Sequence, residues 1–271
     1  MNLEKIDFEQ KGLKLDKDRV LTYSQLNCPL DCKYCFVEDM NFNQKKDVAY
    51  LSDEQLELIG KLPEEIKMIM LGCDTEFFQS RDGSLKILEK LSELNKDIAV
   101  ITKLALSEDF IGKIREIDKE LNKNGNFLSF SVSLTAIESS AEWEPKAPSP
   151  KRRLEVLKMA HEAGLKIMVA LRPLLPTISK EELERVVEAS KDYCYGYYSG
   201  PLYLKSLELM KNNEQYMLDI EKMQPHWMPE EHTFYKVEKR GQMDLLKQIL
   251  IKYNKPLFEG AAEGMEYLKK I

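Results

Sequence analysis

Three of the chain's five cysteines, Cys28, Cys32 and Cys35, are crowded onto one stretch, Leu26-Asn27-Cys28-Pro29-Leu30-Asp31-Cys32-Lys33-Tyr34-Cys35-Phe36. With so few cysteines in 271 residues, chance would give a cysteine both partners at fixed offsets about 3 times in 10,000. Three thiolates on one loop suit a centre that keeps a coordination position free. A structural zinc site would want a fourth protein ligand in paired spacing, and His161, His226 and His232 stand far along the chain with no metal spacing between them. A redox pair of Cys32 and Cys35, or simply buried thiols, are further possibilities that the spacing leaves open. An iron-sulfur cluster suits the pattern best, because thiolates are its ordinary ligands and three of them leave one iron open to a small molecule.

Other groups able to do chemistry fall where predicted strands end. Gly72-Cys73-Asp74-Thr75-Glu76 offers a carboxylate for an ammonium group and a glycine where backbone can approach closely. The competing role for Asp74 and Glu76 is that of solvated turn acids. Lys103 follows Thr102, and Ser131 and Ser133 share one strand face with Thr135 beyond. Such hydroxyls bind ribose or carboxylate oxygens, or are satisfied by backbone. Arg172 ends an apolar run and is costly to bury unpaired, so it is expected to face a cavity holding an anionic or hydroxylated substrate. Tyr193, Tyr195, Tyr197 and Tyr198, with His226 and Trp227, could stack on a flat ring, although alternation along a strand sends only half of the tyrosines inward.

These residues must be positioned by an alternation of strands and helices. Strands are predicted at Arg19 to Ser24, Ile66 to Leu71, Ile98 to Thr102, Phe127 to Leu134, Lys166 to Leu171 and Tyr193 to Leu204. Helices between them carry start and stop signals: a capping box at Ser52 and Gln55, Asn124-Gly125 after Lys123, Gly164 after Ala163, and Ser179 three residues before Glu182. The alternation implies an α/β fold with a parallel sheet and right-handed crossovers, a partial (βα)6 TIM-like barrel. The barrel core is assigned to 18–204 of a single domain spanning 1–271, with 205–271 as a C-terminal helical extension in which Ser206 to Lys222 and Gln242 to Tyr253 are helices capping the barrel. The lead-in from Asn2 to Lys17 is expected to pack at an edge.

Composition narrows the partners. A net charge of −6 and a pI of 5.4 oppose a broad basic surface, so long nucleic acid is not an expected partner, although a single nucleotide is. An odd cysteine count and the lack of an apolar leader in Met1 to Gln10 predict a reducing, cytoplasmic setting. No apolar run has the length of a membrane span.

The spacing C-x3-C-x2-C, with the aromatic Tyr34 before the last cysteine, resembles the radical S-adenosylmethionine (radical SAM) superfamily. That resemblance implies a [4Fe-4S] cluster on Cys28, Cys32 and Cys35, with S-adenosylmethionine chelating the open iron. It also implies an external one-electron reductant and a 5′-deoxyadenosyl radical that abstracts hydrogen from substrate. The cofactor would be surrounded by Tyr34, by Thr75 and Glu76 in place of the family's glycine-glycine-glutamate motif, and by Ser131 and Ser133, with Lys103 meeting its carboxylate. Glu144-Pro145-Lys146-Ala147-Pro148-Ser149-Pro150-Lys151-Arg152-Arg153-Leu154, with Gly164 and Arg172-Pro173-Leu174-Leu175-Pro176, resembles the branch that contains spore photoproduct lyase. By that likeness Arg153 approaches the cofactor. Cys73 matches the lyase cysteine that returns hydrogen to a substrate radical, with packing as its competing role. Phe36 stands where the lyase has tyrosine, so a tyrosine relay of that form is not implied.

These features lead to a radical SAM lyase acting on a small molecule through Cys73 and Arg172, with a modified nucleoside or nucleotide as substrate. The compact acidic chain also resembles the queuosine-salvage lyases that release queuine. Photoproduct-type chemistry on nucleic acid would instead show as duplex binding with steep salt dependence. An iron-sulfur electron carrier without catalysis would show as failure to bind S-adenosylmethionine.

Overall fold

The structure is a computed structural model that describes residues 7–24, 26–36, 50–211, 216–225 and 233–271. An antiparallel pair, β1 (Leu13–Asp16) and β2 (Arg19–Thr22), opens the chain. Next to β2 lie, in chain order and parallel, β3 (Met68–Leu71), β4 (Asp97–Thr102), β5 (Leu128–Ser133), β6 (Lys166–Leu171) and β7 (Gly196–Ser199). The crossovers carry α1 (Asp53–Gly60), α2 (Arg81–Ser92), α3 (Glu108–Lys123), α4 (Ser140–Trp143), α5 (Pro150–Glu162) and α6 (Lys180–Ser190). This is the partial TIM-like arrangement that the alternation predicts. The Ser52 and Gln55 side chains form the capping box of α1, and Ser179 accepts from the Glu182 amide at 3.0 Å to cap α6.

Both faces of the sheet are covered, which is why its strands read as continuous apolar runs. Ile69, Val100, Phe130, Val169 and Tyr197 point outward into the core beneath the helices. Met68, Ala99, Met168, Ala170 and Tyr198 point inward and meet Ala262, Met265 and Leu268 of α8 (Ala261–Leu268). Lys269 pairs with Asp97 at 2.6 Å, so α8 closes the inner face at the amino ends of the strands. Ligands must then enter at the carboxyl ends, where the predicted chemistry gathers.

The C-terminal region departs from expectation. The strand predicted over Tyr193 to Leu204 is broken at Gly200-Pro201: β7 stays in the main sheet, and β8 (Leu202–Leu204) leaves it to pair with β10 (Phe234–Lys239), itself paired with β9 (Leu218–Met223). The helix expected over Ser206 to Lys222 is therefore not formed, since its last residues lie in β9, where backbone groups are satisfied by β10. The second expected helix is present as α7 (Gln242–Lys252). β11 (Leu257–Phe258), parallel to β7, and α8 carry no signal that the sequence made visible. The lead-in supplies β1 as an edge strand.

Candidate active site at the carboxyl ends of the strands

β2 runs directly into the cysteine loop. Ser24 holds its entry, with its hydroxyl 3.1 Å from an Asp74 carboxylate oxygen and accepting from the Leu26 amide at 3.0 Å. Further on, the Lys33 amide donates to the Trp143 carbonyl at 2.9 Å and the Cys35 amide to the Cys32 carbonyl at 2.9 Å. Cys28, Cys32 and Cys35 are all partly buried free thiols. Among the described residues no three His, Cys, Asp or Glu side chains converge as ligands of a single metal ion. A cubane distributes its thiolates over separate irons, so the loop is compatible with a cluster. Burial pushes the Cys32 thiol up to about 11, with Lys103 pulling the other way. A bound metal would remove that proton outright.

Beyond β3 the chain turns at Gly72, whose φ is +84°. An added Cβ would lie 2.9 Å from Ile101 Cγ2 and 3.1 Å from the Ile101 carbonyl oxygen. Gly72→Ala is therefore expected to cost about 1–3 kcal/mol through a left-handed backbone and this crowding. Urea unfolding would measure it, and an unchanged midpoint would show that the turn relaxes freely.

Cys73 next to it packs, along with Leu21, Phe36 and Tyr203, against the buried pair Tyr23 and Phe234, and its sulfur lies 3.4 Å from the Met70 carbonyl. It keeps part of its surface accessible, yet crowding by protein raises its thiol pKa to about 12, so it carries its hydrogen at neutral pH. Asp74, Thr75 and Glu76 are all buried, which rules out the solvated-turn role for the two acids. Glu76 accepts from Thr102 Oγ1 at 2.8 Å and from the backbone amides of Lys103 and Phe78 at 2.9 and 3.1 Å, pinning the ends of β3 and β4 together. Burial raises its pKa against these hydrogen bonds.

The ends of β4 and β5 contribute Lys103, Ser131 and Ser133. The Lys103 ammonium lies 5.7 Å from the Tyr34 ring centroid and 4.0 Å from Glu144 Oε1. Burial pushes the Tyr198 phenol up to about 12, with Ser131 pulling the other way. The Ser133 hydroxyl is buried without a partner, and so is Nε of Arg153. The remaining guanidinium nitrogens of Arg153 are engaged: Nη1 donates to the Ser133 carbonyl at 3.0 Å, and Nη2 reaches Ser140 Oγ at 2.7 Å and Glu144 at 2.6 Å. Tyr34, buried against Trp143 with ring centroids 6.4 Å apart, donates its hydroxyl to Glu144.

Arg172 lies at the end of β6 ahead of a cis peptide bond to Pro173, with Nη1 donating to the Glu259 carbonyl at 2.7 Å. Its charge acts on Tyr198 and Tyr203. Of the tyrosines expected near a ring, Tyr198 faces inward and Tyr197 packs outward, its hydroxyl 2.8 Å from Ser190 Oγ. Tyr195 is exposed, and Tyr193 lies beside His161. His226 and Trp227 lie outside the described residues.

Glu144, Trp143, Tyr23, Tyr203 and Phe234 were not singled out by sequence reasoning. Glu144 did carry a signal, since an acid and Arg153 bracket a proline-rich segment whose only evident use is to bring its two ends together. The donors present suit an iron-sulfur cluster with a polar organic ligand: three accessible thiols on one loop, and an unpartnered buried hydroxyl and a cation on the inner face beside it.

A family model described as the Radical SAM superfamily matches residues 22–189. The chain is 27% identical over 203 residues to an uncharacterized protein of Acidianus two-tailed virus, covering 67% of this chain and 65% of that protein. It is 23% identical over 199 residues to an uncharacterized protein of Methanocaldococcus jannaschii, covering 69% and 71%. The chain thus spans slightly less than two thirds of the viral relative. Among solved structures, spore photoproduct lyase with a dinucleoside spore photoproduct aligns with a TM-score of 0.63 at 12% identity, over 87% of this chain and 75% of that one. SuiB of Streptococcus suis aligns with a TM-score of 0.55 at 14% identity, over 88% and 47%. At these identities the solved structures share a fold with this chain.

Proposed function

The chain belongs to the radical SAM superfamily, and from that premise we propose that it is a lyase acting on a small molecule with a flat ring, a modified nucleoside or nucleotide. The cofactors of this family are a [4Fe-4S] cluster and S-adenosylmethionine, which when bound supply a 5′-deoxyadenosyl radical able to take hydrogen from carbon. Cys28, Cys32 and Cys35 would hold the cluster. Lys103 would meet the carboxylate of S-adenosylmethionine, and the unpartnered Ser133 hydroxyl, with Ser131 beside it, a ribose or carboxylate oxygen. Glu76 and Thr75 would line the ammonium side, Tyr34 would pack beside the loop, and Arg153 would complete the positive wall.

The observation that carries the lyase assignment is Cys73: a thiol kept protonated within a mouth formed by Tyr23, Phe36, Tyr203 and Phe234. Such a thiol can give its hydrogen to a carbon radical on substrate, becoming a thiyl. The aromatic faces offer stacking to a planar ring. Arg172 at the rim, beside Tyr198 and Tyr203, suits an anionic or hydroxylated appendage. The sheet of β8, β10 and β9 would cap this mouth, since it contributes Tyr203 and Phe234. Among the described residues no side chain at the mouth singles out queuosine, so the proposal stays with the class. A one-electron reductant would have to come from outside the chain.

The test is anaerobic incubation with S-adenosylmethionine, a reductant and a metabolite extract, with mass spectrometry for compounds consumed in step with 5′-deoxyadenosine. Consumption of nucleosides alone supports the proposal, and steeply salt-dependent binding of duplex DNA overturns it. Cys73→Ala is expected to retain the cluster and cofactor cleavage while shifting the ratio of products. An unaltered ratio would return Cys73 to a packing role.

A further inference from the structure

Glu144 is 1% exposed and follows directly on α4. Burying a carboxylate costs several kcal/mol unless its oxygens are met. Here the partners come from the cysteine loop, from the ends of β4 and β5, and from α4 and α5. Oε1 accepts from the Tyr34 hydroxyl and from Thr135 Oγ1 at 2.9 Å, with Lys103 Nζ at 4.0 Å. Oε2 meets Arg153 at 2.6 Å and Ser140 at 3.4 Å. The neighbouring Trp143 carbonyl takes the Lys33 amide of the loop at 2.9 Å. One anion is thus shared by two cations, and the trio keeps a net positive charge beside the cysteine loop, to which Tyr34, between Cys32 and Cys35, ties it.

We propose that Glu144 is a positioning residue for electron transfer into the cluster: it ties the cysteine loop to the barrel through Tyr34 and sets the positive charge that Lys103 and Arg153 present to the iron. The inference rests on the radical SAM assignment. Reduction adds one negative charge to the cluster, so surrounding positive charge favours it and a nearby anion opposes it. In a poorly screened interior that influence extends well past contact distance. A glutamate that served only packing would alter stability and leave the potential where it was.

The experiment is a redox titration of the anaerobically reconstituted full chain, followed by electron paramagnetic resonance without S-adenosylmethionine. Glu144→Gln is expected to raise the ratio of reduced to oxidised cluster about tenfold at a fixed applied potential, ~59 mV upward for a one-electron couple. Lys103→Met, which removes a cation from the same trio, is expected to lower that ratio about tenfold. A potential unmoved in either variant, or moved in the opposite sense, overturns the inference. A loaded cluster with unmoved potentials would overturn it alone, whereas an unsubstituted chain that takes up no cluster would overturn the proposed function as well.

Discussion

Cys28→Ala, Cys32→Ala and Cys35→Ala are each expected to abolish the brown iron-sulfur chromophore and, with it, all detectable formation of 5′-deoxyadenosine in reconstituted protein. The expectation is all-or-none because the described structure has no ready replacement ligand. Cys194, one of the two remaining cysteines, is buried at the start of β7 with its carbonyl bonded to Lys255 at 2.7 Å, towards the opposite end of the sheet. Cys73 packs against Tyr23 and Phe234, with its sulfur 3.4 Å from the Met70 carbonyl. The substitutions should leave the fold intact, since each cysteine is partly exposed and the loop keeps its anchors at Trp143 and Glu144. Circular dichroism should therefore match the unsubstituted chain while iron and sulfide content collapses. Cys194→Ala should keep both. A variant at one of the three that keeps colour and activity would remove that cysteine from the cluster, and a colourless, zinc-bearing unsubstituted protein would return the loop to the zinc alternative.

The barrel was legible in the chain because its strands are short, several of them apolar runs, and the helices between them carry caps or closing glycines. Met68 to Leu71 and Lys166 to Leu171 are buried on both faces, leaving little for periodicity to confuse. Legibility failed where structure depends on distant partners. β9 has mostly exposed side chains and owes its conformation to pairing with the following strand, β10, so Leu218 to Met223 reads locally as the end of a helix. β11 is two residues long and exists because β7 offers an edge. The site divides along the same line. Thiols on one loop announce themselves by spacing, as do a lysine and serines at strand ends. The Glu144 network does not, because its members Tyr34, Lys103, Thr135 and Arg153 are gathered from the β2–β3 crossover, the end of β4 and the β5–β6 crossover.

Arg153→Met is expected to cost about 3–5 kcal/mol of folding stability, a large share of the roughly 5–15 kcal/mol available to a domain. Arg153 is 0% exposed and its partner Glu144 is 1% exposed, so the substitution leaves a carboxylate with no route to water. Lys103 at 4.0 Å and the hydroxyls of Tyr34, Thr135 and Ser140 compensate only in part. Burial by itself would raise the Glu144 pKa, and it is Lys103 and Arg153 that hold it below the ordinary carboxylate range. Loss of Arg153 should therefore also shrink the stability that Glu144 contributes above the ordinary carboxylate pKa and loses as pH falls through its folded-state value, because a less depressed pKa leaves less to lose on acidification. Methionine fills much of the arginine's length, which keeps the cavity contribution small and isolates the electrostatic one. The double substitution Arg153→Met with Glu144→Leu should recover part of the loss, since most of the cost belongs to the stranded charge. Urea unfolding of the metal-free chain measures both of these and the Glu144→Leu single substitution in one cycle. A single-variant loss below about 1 kcal/mol would show that Lys103 alone balances Glu144, and that the guanidinium contributes little beyond an ordinary hydrogen bond.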